Sequence, residues 1–143
     1  MNLQKKKIVL VDDDAVFLKM LQANLMEHDN FEIETYLTGE QFLETISNSI
    51  DLVILDFHLN GINQTAMNGL ETLDKIKSFN AEIPVIMLSS QDKIEVAIDC
   101  IHHGAIDYIV KSETAFFKVN QSITKLFEFK KIEKELSWYM KRM

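Results

Sequence analysis

Residues 8–14 read IVLVDDD, an unbroken apolar run that ends in three aspartates. A continuous run of Val, Ile and Leu is typical of a strand buried on both faces, as in a parallel sheet. Similar runs recur as LVIL at 52–55, VIML at 85–88 and the shorter YIV at 108–110. The segment FEIETY at 31–36 alternates apolar and polar residues, which predicts a strand near a sheet edge.

Segments with helical periodicity separate these runs. Phe17, Leu18 and Leu21 follow the first run at helical spacing, and Asp14 is placed to cap that helix. The alternation predicts β-α units, which form a mostly parallel sheet with helices on both faces. A closed eight-stranded barrel needs about 250 residues, whereas this chain has 143. We therefore predict an α/β fold: an open, doubly wound, five-stranded parallel sheet flanked by five helices, with an extended last helix.

The composition describes an acidic globular chain. Fifteen Lys and Arg against 22 Asp and Glu give a net charge of −7, which disfavours binding to nucleic acid or to an anionic membrane. Cys100 is the single cysteine, so no disulfide can form within this sequence. No apolar stretch approaches the roughly 20 residues of a membrane span. We expect a cytoplasmic protein without nucleic-acid or membrane partners.

Polar and charged side chains cluster where the predicted strands end. The six that follow these strands directly are Asp12, Asp13, Asp56, Ser89, Ser90 and Lys111. In an open α/β sheet the functional site lies outside the carboxyl ends of the strands, so these side chains should converge. Crowded carboxylates repel each other unless a cation joins them. Because Mg²⁺ prefers oxygen ligands and suits an open site that keeps several waters, the sequence predicts a divalent cation here.

This constellation resembles the receiver domain of two-component response regulators, the chemotaxis-type phosphoacceptor fold. The motifs that carry the resemblance are VDDD at 11–14, LD at 55–56, VIMLSS at 85–90 and DYIVK at 107–111. They cover the chain through about Leu126, in the family's order. The resemblance implies a flavodoxin-like fold, a receiver domain over residues 1–128 and an extension of the last helix over residues 129–143.

The resemblance also implies a role for each acidic residue. Asp56 would accept a phosphoryl group from a histidine kinase or a histidine phosphotransfer protein. Asp13 and Asp56 would bind Mg²⁺ or Mn²⁺ directly. Asp12 would hold the waters of the metal, and the backbone carbonyl of His58 would complete the protein ligands. The site would also hydrolyse its own acyl phosphate, so the chain is expected to be a phosphoacceptor and not an enzyme with a separate substrate.

A second set of implied roles concerns the phosphoryl group and the switch. Lys111, Ser89 and Ser90 would contact the phosphoryl oxygens. Ser89 would move toward the phosphoryl group, and Tyr108 would rotate from the surface into the vacated space. The face formed by the fourth helix, the fifth strand and the fifth helix would then change shape. That change would alter the binding of a downstream effector protein or output domain.

The sequence departs from the family's pattern on both sides of the site. Ser112 follows Lys111 where the family usually has a proline in a cis peptide. Because a non-proline cis peptide costs about 3–4 kcal/mol, we predict a trans bond, with Lys111 still reaching Asp56. The polar segment NGINQTAMN at 60–68 is longer than the family's usual loop. It is either an element that contacts a partner or shields the phosphoryl group, or a tolerated insertion.

The last helix overruns the usual end of a receiver. Its apolar residues recur at three- and four-residue steps, and they are Val119, Ile123, Leu126, Phe129, Ile132, Leu136 and Met140. We expect the first half of this helix to pack on the sheet. The remainder has three interpretations: the seam of a homodimer, the start of a linker to an output domain, or an extension lying on its own domain.

Three other functions compete with that of a signal receiver. A Mg²⁺-dependent phosphatase with an aspartyl nucleophile would favour a second Asp two residues after Asp56, where this chain has His58. A non-phosphorylated docking module would not need the acidic residues, the serine and the lysine, all of which are present. A flavodoxin-like FMN binder would need a phosphate-binding loop after the first strand, where the three aspartates would repel phosphate.

Overall fold

The computed structural model describes residues 5–143. Within them, five strands alternate with five helices along the chain. The strands are β1 (Lys6–Val11), β2 (Phe31–Tyr36), β3 (Leu52–Asp56), β4 (Val85–Ser89) and β5 (Asp107–Val110). The helices are α1 (Ala15–Leu25), α2 (Gly39–Thr45), α3 (Gly69–Phe79), α4 (Ile94–His102) and α5 (Ala115–Arg142). The predicted receiver domain begins at residue 1, so its first four residues lie outside the described part of the chain.

The sheet is parallel throughout, in the order β2-β1-β3-β4-β5. The strand with the alternating pattern, β2, lies at an edge as predicted. The strand order changes direction between β1 and β3, which is where open α/β sheets place their sites. Val11 pairs with Leu55, and Asp56 pairs with Leu88, so the carboxyl ends of these central strands are nearly level.

Alternate residues of β1 enter two separate apolar cores. Ile8 and Leu10 pack in the layer of α1 and α5, whereas Val9 and Val11 pack in the layer of α2, α3 and α4. All four side chains are buried. Helices therefore cover both faces of the sheet, which confirms the doubly wound fold and explains why β1 is apolar at every position from 8 to 11.

Side-chain caps fix the helix starts near the carboxyl edge of the sheet. The Asp14 carboxylate accepts the backbone N–H of Phe17 at 3.1 Å and caps α1, as predicted. Thr38 caps α2, and Asn68 forms a reciprocal capping box with Glu71 at the start of α3. The third aspartate of the VDDD motif is thus held by its own helix and stands apart from the other two.

The glycine at the start of α3 lies against the backbone that ends β3. A Cβ on Gly69 would lie 2.6 Å from Phe57 Cα and 2.7 Å from the Phe57 carbonyl oxygen. Because backbone atoms cannot move aside cheaply, Gly69→Ala is expected to lower the free energy of unfolding by about 1–3 kcal/mol. Urea denaturation measures this change. Gly61→Ala is the matched control, since its Cβ would meet its nearest neighbour at 3.4 Å; equal losses in the two variants would contradict the packing argument.

The last helix, α5, spans 28 residues. Its buried residues all lie in the first half, and they are Ala115, Val119, Ile123 and Leu126. Every residue from 128 to 143 is exposed. The first half therefore packs on the sheet as expected, whereas the interpretation that the second half lies on its own domain is wrong. Across residues 5–143, no helix has the length and apolar character needed to cross a membrane.

Candidate functional site

Three carboxylates converge at the edge where β1 and β3 end. Asp12 and Asp13 follow β1, and Asp56 is the last residue of β3. One oxygen from each carboxylate lies within 4.8 Å of the other two. Asp12 and Asp56 are buried, each 3% exposed, and Asp13 is half-buried. The predicted convergence of these residues is confirmed.

The ammonium of Lys111 enters this cluster from the loop after β5. It lies 2.8 Å from Asp12 Oδ2 and 3.4 Å from Asp56 Oδ1. It also lies 4.4 Å from the centre of the Phe17 ring, a cation–π contact with α1. No peptide bond of the described chain is cis, so the bond to Ser112 is trans and the lysine still reaches Asp56, as predicted. The shorter contact, with Asp12, was not predicted.

Crowding changes the acidity of the site. Burial and then the charge of Asp12 raise the pKa of Asp56 from 3.8 to about 7, against the charge of Lys111 and a backbone hydrogen bond with His58. Burial alone would lower the pKa of Lys111, but its hydrogen bond with Asp12 and the charge of Asp56 raise it overall. Lys111 is therefore charged at neutral pH, while Asp56 is close to its titration midpoint.

The donor set fits a hard divalent cation. Three carboxylates face one ammonium, so the fully ionised cluster keeps excess negative charge. Among the described residues, the buried Asp12 Oδ2 has no polar neighbour within bonding distance other than that ammonium. Asp13 and Asp56 border an open cleft, which leaves room for the waters that Mg²⁺ keeps. The oxygen-only ligands suit Mg²⁺ or Mn²⁺.

His58 lies beside the acidic cluster. An ideal Cβ on Gly61 would lie 3.4 Å from Asp13 Oδ2 and 3.9 Å from the His58 carbonyl oxygen, so both oxygens border the same space. The imidazole ring packs edge-on against Phe57, with 5.0 Å between ring centres. This placement agrees with a ligand role for the His58 carbonyl, which stays a prediction.

The two serines after β4 have different surroundings. Ser89 is fully buried, and its Oγ accepts the backbone N–H of Gln91 at 3.0 Å. Ser90 lines the cleft together with Asp56 and Lys111. The predicted phosphoryl contacts of both serines stay predictions.

Tyr108 is turned inward in this structure. Its hydroxyl donates a hydrogen bond of 2.6 Å to the carbonyl of Gln91, in the loop before α4. Burial raises the pKa of Tyr108, against a hydrogen bond with Ser89 that lowers it. The sequence predicted a ring that starts at the surface, whereas the ring is half-buried here because the Gln91 carbonyl supplies an acceptor for its hydroxyl. Ser89, Gln91 and Tyr108 therefore form one chain of polar contacts.

Removal of the Tyr108 hydroxyl tests the strength of this inward position. Tyr108→Phe leaves the Gln91 carbonyl without its donor, and we expect the free energy of unfolding to fall by about 1 kcal/mol. Tyr139→Phe is the matched control because Tyr139 is exposed on the second half of α5. Urea denaturation of both variants measures the difference. A loss no larger for Tyr108 than for Tyr139 would contradict a stabilising hydrogen bond.

The 60–68 segment lies next to the acidic cluster. The backbone N–H of Ile62 donates to Asp13 Oδ2 at 3.3 Å, and Gly61 and Ile62 line the cleft. Farther along, the N–H of Met67 donates to Glu40 Oε2 at 2.8 Å. Sequence reasoning missed these contacts because a backbone N–H has no residue-type signature. The one feature of the sequence that pointed to a role for this segment was its unusual length.

A doubly wound parallel sheet with this acidic cluster and lysine at its carboxyl edge defines the receiver class of signalling domains. The model of the response regulator receiver domain family matches residues 8–124, and the chain belongs to this family. The resemblance inferred from the sequence is thereby confirmed, and the phosphatase, FMN-binding and docking-module alternatives are not favoured.

Named relatives share this fold at moderate sequence identity. The transcriptional regulatory protein ZraR of Klebsiella oxytoca is 33% identical over 112 residues, covering 78% of this chain and 24% of ZraR. The crystal structure of NtrX from Brucella abortus is 30% identical with a TM-score of 0.81, covering 98% of this chain and 31% of NtrX. The BeF3-activated DrrB receiver domain is 28% identical with a TM-score of 0.76, covering 87% of this chain and 99% of that domain.

Two of these relatives are much longer than this chain. This chain spans 24% of ZraR and 31% of NtrX, so it corresponds to about a quarter to a third of these longer proteins. In contrast, the match covers nearly the whole length of the isolated DrrB receiver domain. What the chain shares with all three is therefore the receiver domain.

Proposed function

We propose that this chain takes a phosphoryl group on Asp56 from the phosphohistidine of a histidine kinase or a histidine phosphotransfer protein. The observation that supports the proposal most strongly is the Lys111 ammonium 3.4 Å from Asp56 Oδ1, inside a cluster of three carboxylates. Asp56 is also the last residue of β3, at the edge where open α/β sheets bind their ligands. Membership of the receiver family supports the same assignment.

The proposed transfer needs a carboxylate and positive charge around it. An Asp56 oxygen attacks phosphorus, the P–N bond to the histidine breaks, and the bonding electrons leave on the imidazole nitrogen, which takes a proton from solvent. Phosphoryl transfer depends mainly on positioning and charge neutralisation. Lys111 supplies one fixed charge, and a pKa of about 7 leaves Asp56 partly ionised at neutral pH. Attack of water on phosphorus later releases inorganic phosphate and restores the carboxylate.

The same residues would hold the divalent cation. Asp13 and Asp56 would bind Mg²⁺ or Mn²⁺ directly, Asp12 would orient its waters, and the His58 carbonyl would complete the protein ligands. When bound, the cation would neutralise negative charge on the carboxylates and on the phosphoryl oxygens. It would also favour the ionised form of Asp56.

Phosphorylation would change the conformation of the partner-binding face through the contacts of Ser89 and Tyr108 with Gln91. A Ser89 hydroxyl that turns to the phosphoryl group gives up the Gln91 N–H, and Gln91 is also the partner of Tyr108. The loop before α4 would then shift together with Tyr108. Exposed Ile94 and Ile98 on α4 give that face an apolar surface for a downstream effector protein or output domain. Phosphorylation would act by shifting a two-state equilibrium of this face.

The second half of α5 is proposed as a connecting element. The family model ends at residue 124 and the buried residues of α5 end at Leu126, which supports a receiver over 1–128 and an extension over 129–143. We propose that this exposed helix forms a homodimer seam or continues to an output domain. Analytical ultracentrifugation with and without phosphodonor separates the two.

The remaining proposals are a cytoplasmic location, no direct binding to nucleic acid or membrane, and no reaction beyond the chain's own acyl phosphate.

Beryllofluoride provides the test of the proposed site. In the presence of Mg²⁺, we expect it to shift NMR signals of the loops after β1, β3 and β4 in the wild-type chain. Asp56→Asn should show no such shifts. Asp14→Asn is the matched control, since Asp14 lies on the same edge but caps α1, and asparagine caps equally well. A response that persists in Asp56→Asn would contradict the proposal.

A further inference from the structure

The 60–68 loop is attached to its surroundings at three places. Just past its end, the N–H of Gly69, the first residue of α3, donates to the Phe57 carbonyl at 2.9 Å. Before that, the Met67 N–H donates to the Glu40 carboxylate on α2 at 2.8 Å. At its start, the Ile62 N–H donates to the Asp13 carboxylate at 3.3 Å. The loop therefore spans from the acidic cluster to α2.

The middle of the loop is a compact turn. The Thr65 N–H and hydroxyl both donate to the Asn63 side-chain oxygen, at 3.1 Å and 2.7 Å. The Ala66 N–H donates to the Asn63 carbonyl at 3.0 Å. These local bonds hold the loop backbone between its two contacts with carboxylates.

The Asp13 carboxylate accepts a hydrogen bond from the 60–68 loop and from no other described residue. Within residues 5–143, the Ile62 N–H is the one hydrogen-bond donor to the Asp13 carboxylate, and no described cation forms a salt bridge with it. Asp13 is half-buried, so its carboxylate would otherwise rotate with little restraint. The N–H engages one of the two carboxylate oxygens, and the second makes no hydrogen bond among the described residues.

We propose that Ile62 is a positioning residue whose backbone N–H orients the Asp13 carboxylate for the divalent cation, and that the 60–68 loop is the device that holds this N–H in place. The inference rests on the proposed cation site. Partners that orient a metal-binding carboxylate from behind typically contribute about 10- to 100-fold in metal affinity. Under this proposal the unusual length of the loop has a function at the site, whereas a tolerated insertion would leave Mg²⁺ binding independent of the loop.

Proline at position 62 removes the N–H. We expect Ile62→Pro to weaken Mg²⁺ binding about 10-fold, measured by titration of Mg²⁺ alone with NMR detection. Gln64→Pro is the matched control, because proline enters the same loop at an N–H that makes no hydrogen bond in the structure. Ile62→Ala separates the N–H from the side chain. Affinity in Ile62→Ala as low as in Ile62→Pro would overturn the assignment to the backbone.

A second variant acts from the far end of the loop. Glu40→Ala removes the acceptor of the Met67 N–H from an exposed position on α2. We expect weaker Mg²⁺ binding, by about 2- to 5-fold, because the loop loses its anchor while every residue at the cation stays intact. This variant decides the question if Ile62→Pro does not fold. Unchanged affinity in Glu40→Ala and in a folded Ile62→Pro would overturn the inference.

A variant of a proposed ligand distinguishes a failure of this inference from a failure of the proposed cation site. Asp13→Asn removes a proposed ligand and should abolish Mg²⁺ binding in the same titration. If the wild-type chain binds no Mg²⁺, the proposed cation site itself is wrong. If Asp13→Asn loses binding while the loop variants keep it, the cation site stands and the role of the loop falls.

Discussion

Asp56→Asn is expected to make the metal-free protein more stable at pH 8, by about 2–4 kcal/mol. The reason is the position of Asp56, which is 3% exposed and shares its surroundings with two other carboxylates. These surroundings raise its pKa from 3.8 to about 7, so the folded state disfavours the ionised form. Asparagine has nearly the same shape without the charge. The midpoint of urea denaturation, at constant slope, measures the gain.

The pH dependence provides a second signature. Because the pKa of Asp56 is raised on folding, the protonated form contributes stability that is fully present below about pH 4 and is lost as the pH rises through about 7. The advantage of Asp56→Asn should therefore be small at pH 4 and largest at pH 8. Asp14→Asn, which retains the cap of α1, should change stability by less than about 0.5 kcal/mol at either pH. A lower stability of Asp56→Asn at pH 8 would contradict a destabilising buried charge.

Lys111→Met is expected to slow phosphorylation by acetyl phosphate and Mg²⁺ by about 100-fold or more. The ammonium lies within 3.4 Å of both Asp12 and Asp56, where it faces the negative charge that builds up on the phosphoryl oxygens. Methionine keeps most of the side-chain volume beside Phe17 and removes the charge. The rate of phosphorylation, followed by intact mass, measures the effect.

Two comparisons make the Lys111 result specific. Lys93→Met removes a lysine from the exposed start of α4, and it should phosphorylate at the wild-type rate. Mg²⁺ binding of Lys111→Met should be retained or strengthened, because the carboxylates lose a competing cation. A slow rate that is fully explained by weaker Mg²⁺ binding would count against a direct role of the ammonium.

The sequence was sufficient to predict the fold and the convergence of the acidic residues at one edge of the sheet. Apolar runs such as 8–11 and 52–55 predict buried parallel strands, and the carboxyl ends of parallel strands meet at one edge. Asp12, Asp13 and Asp56 therefore had to lie close together, and the structure places them within 4.8 Å. These predictions held because a continuous apolar run indicates a strand buried on both faces, and β-α-β connections make such strands parallel.

The finer contacts could not be predicted in the same way. Lys111 approaches Asp12 more closely than Asp56 because rotamers decide between two acceptors in one cluster. Tyr108 is turned inward because a backbone carbonyl, at Gln91, offers its hydroxyl an acceptor. The Ile62 N–H reaches Asp13 through the course of a loop. Each of these depends on backbone geometry or rotamers, which residue types alone do not specify.

Mapping of the phosphoryl group tests the central claim most directly. The wild-type chain is incubated with acetyl phosphate and Mg²⁺, the acyl phosphate is reduced with borohydride, and the modified residue is identified by peptide mass spectrometry. We predict one modification, on Asp56, that requires Mg²⁺ and disappears in Asp56→Asn. Modification of Asp12 or Asp13 in place of Asp56, or no modification at any carboxylate, would contradict the account.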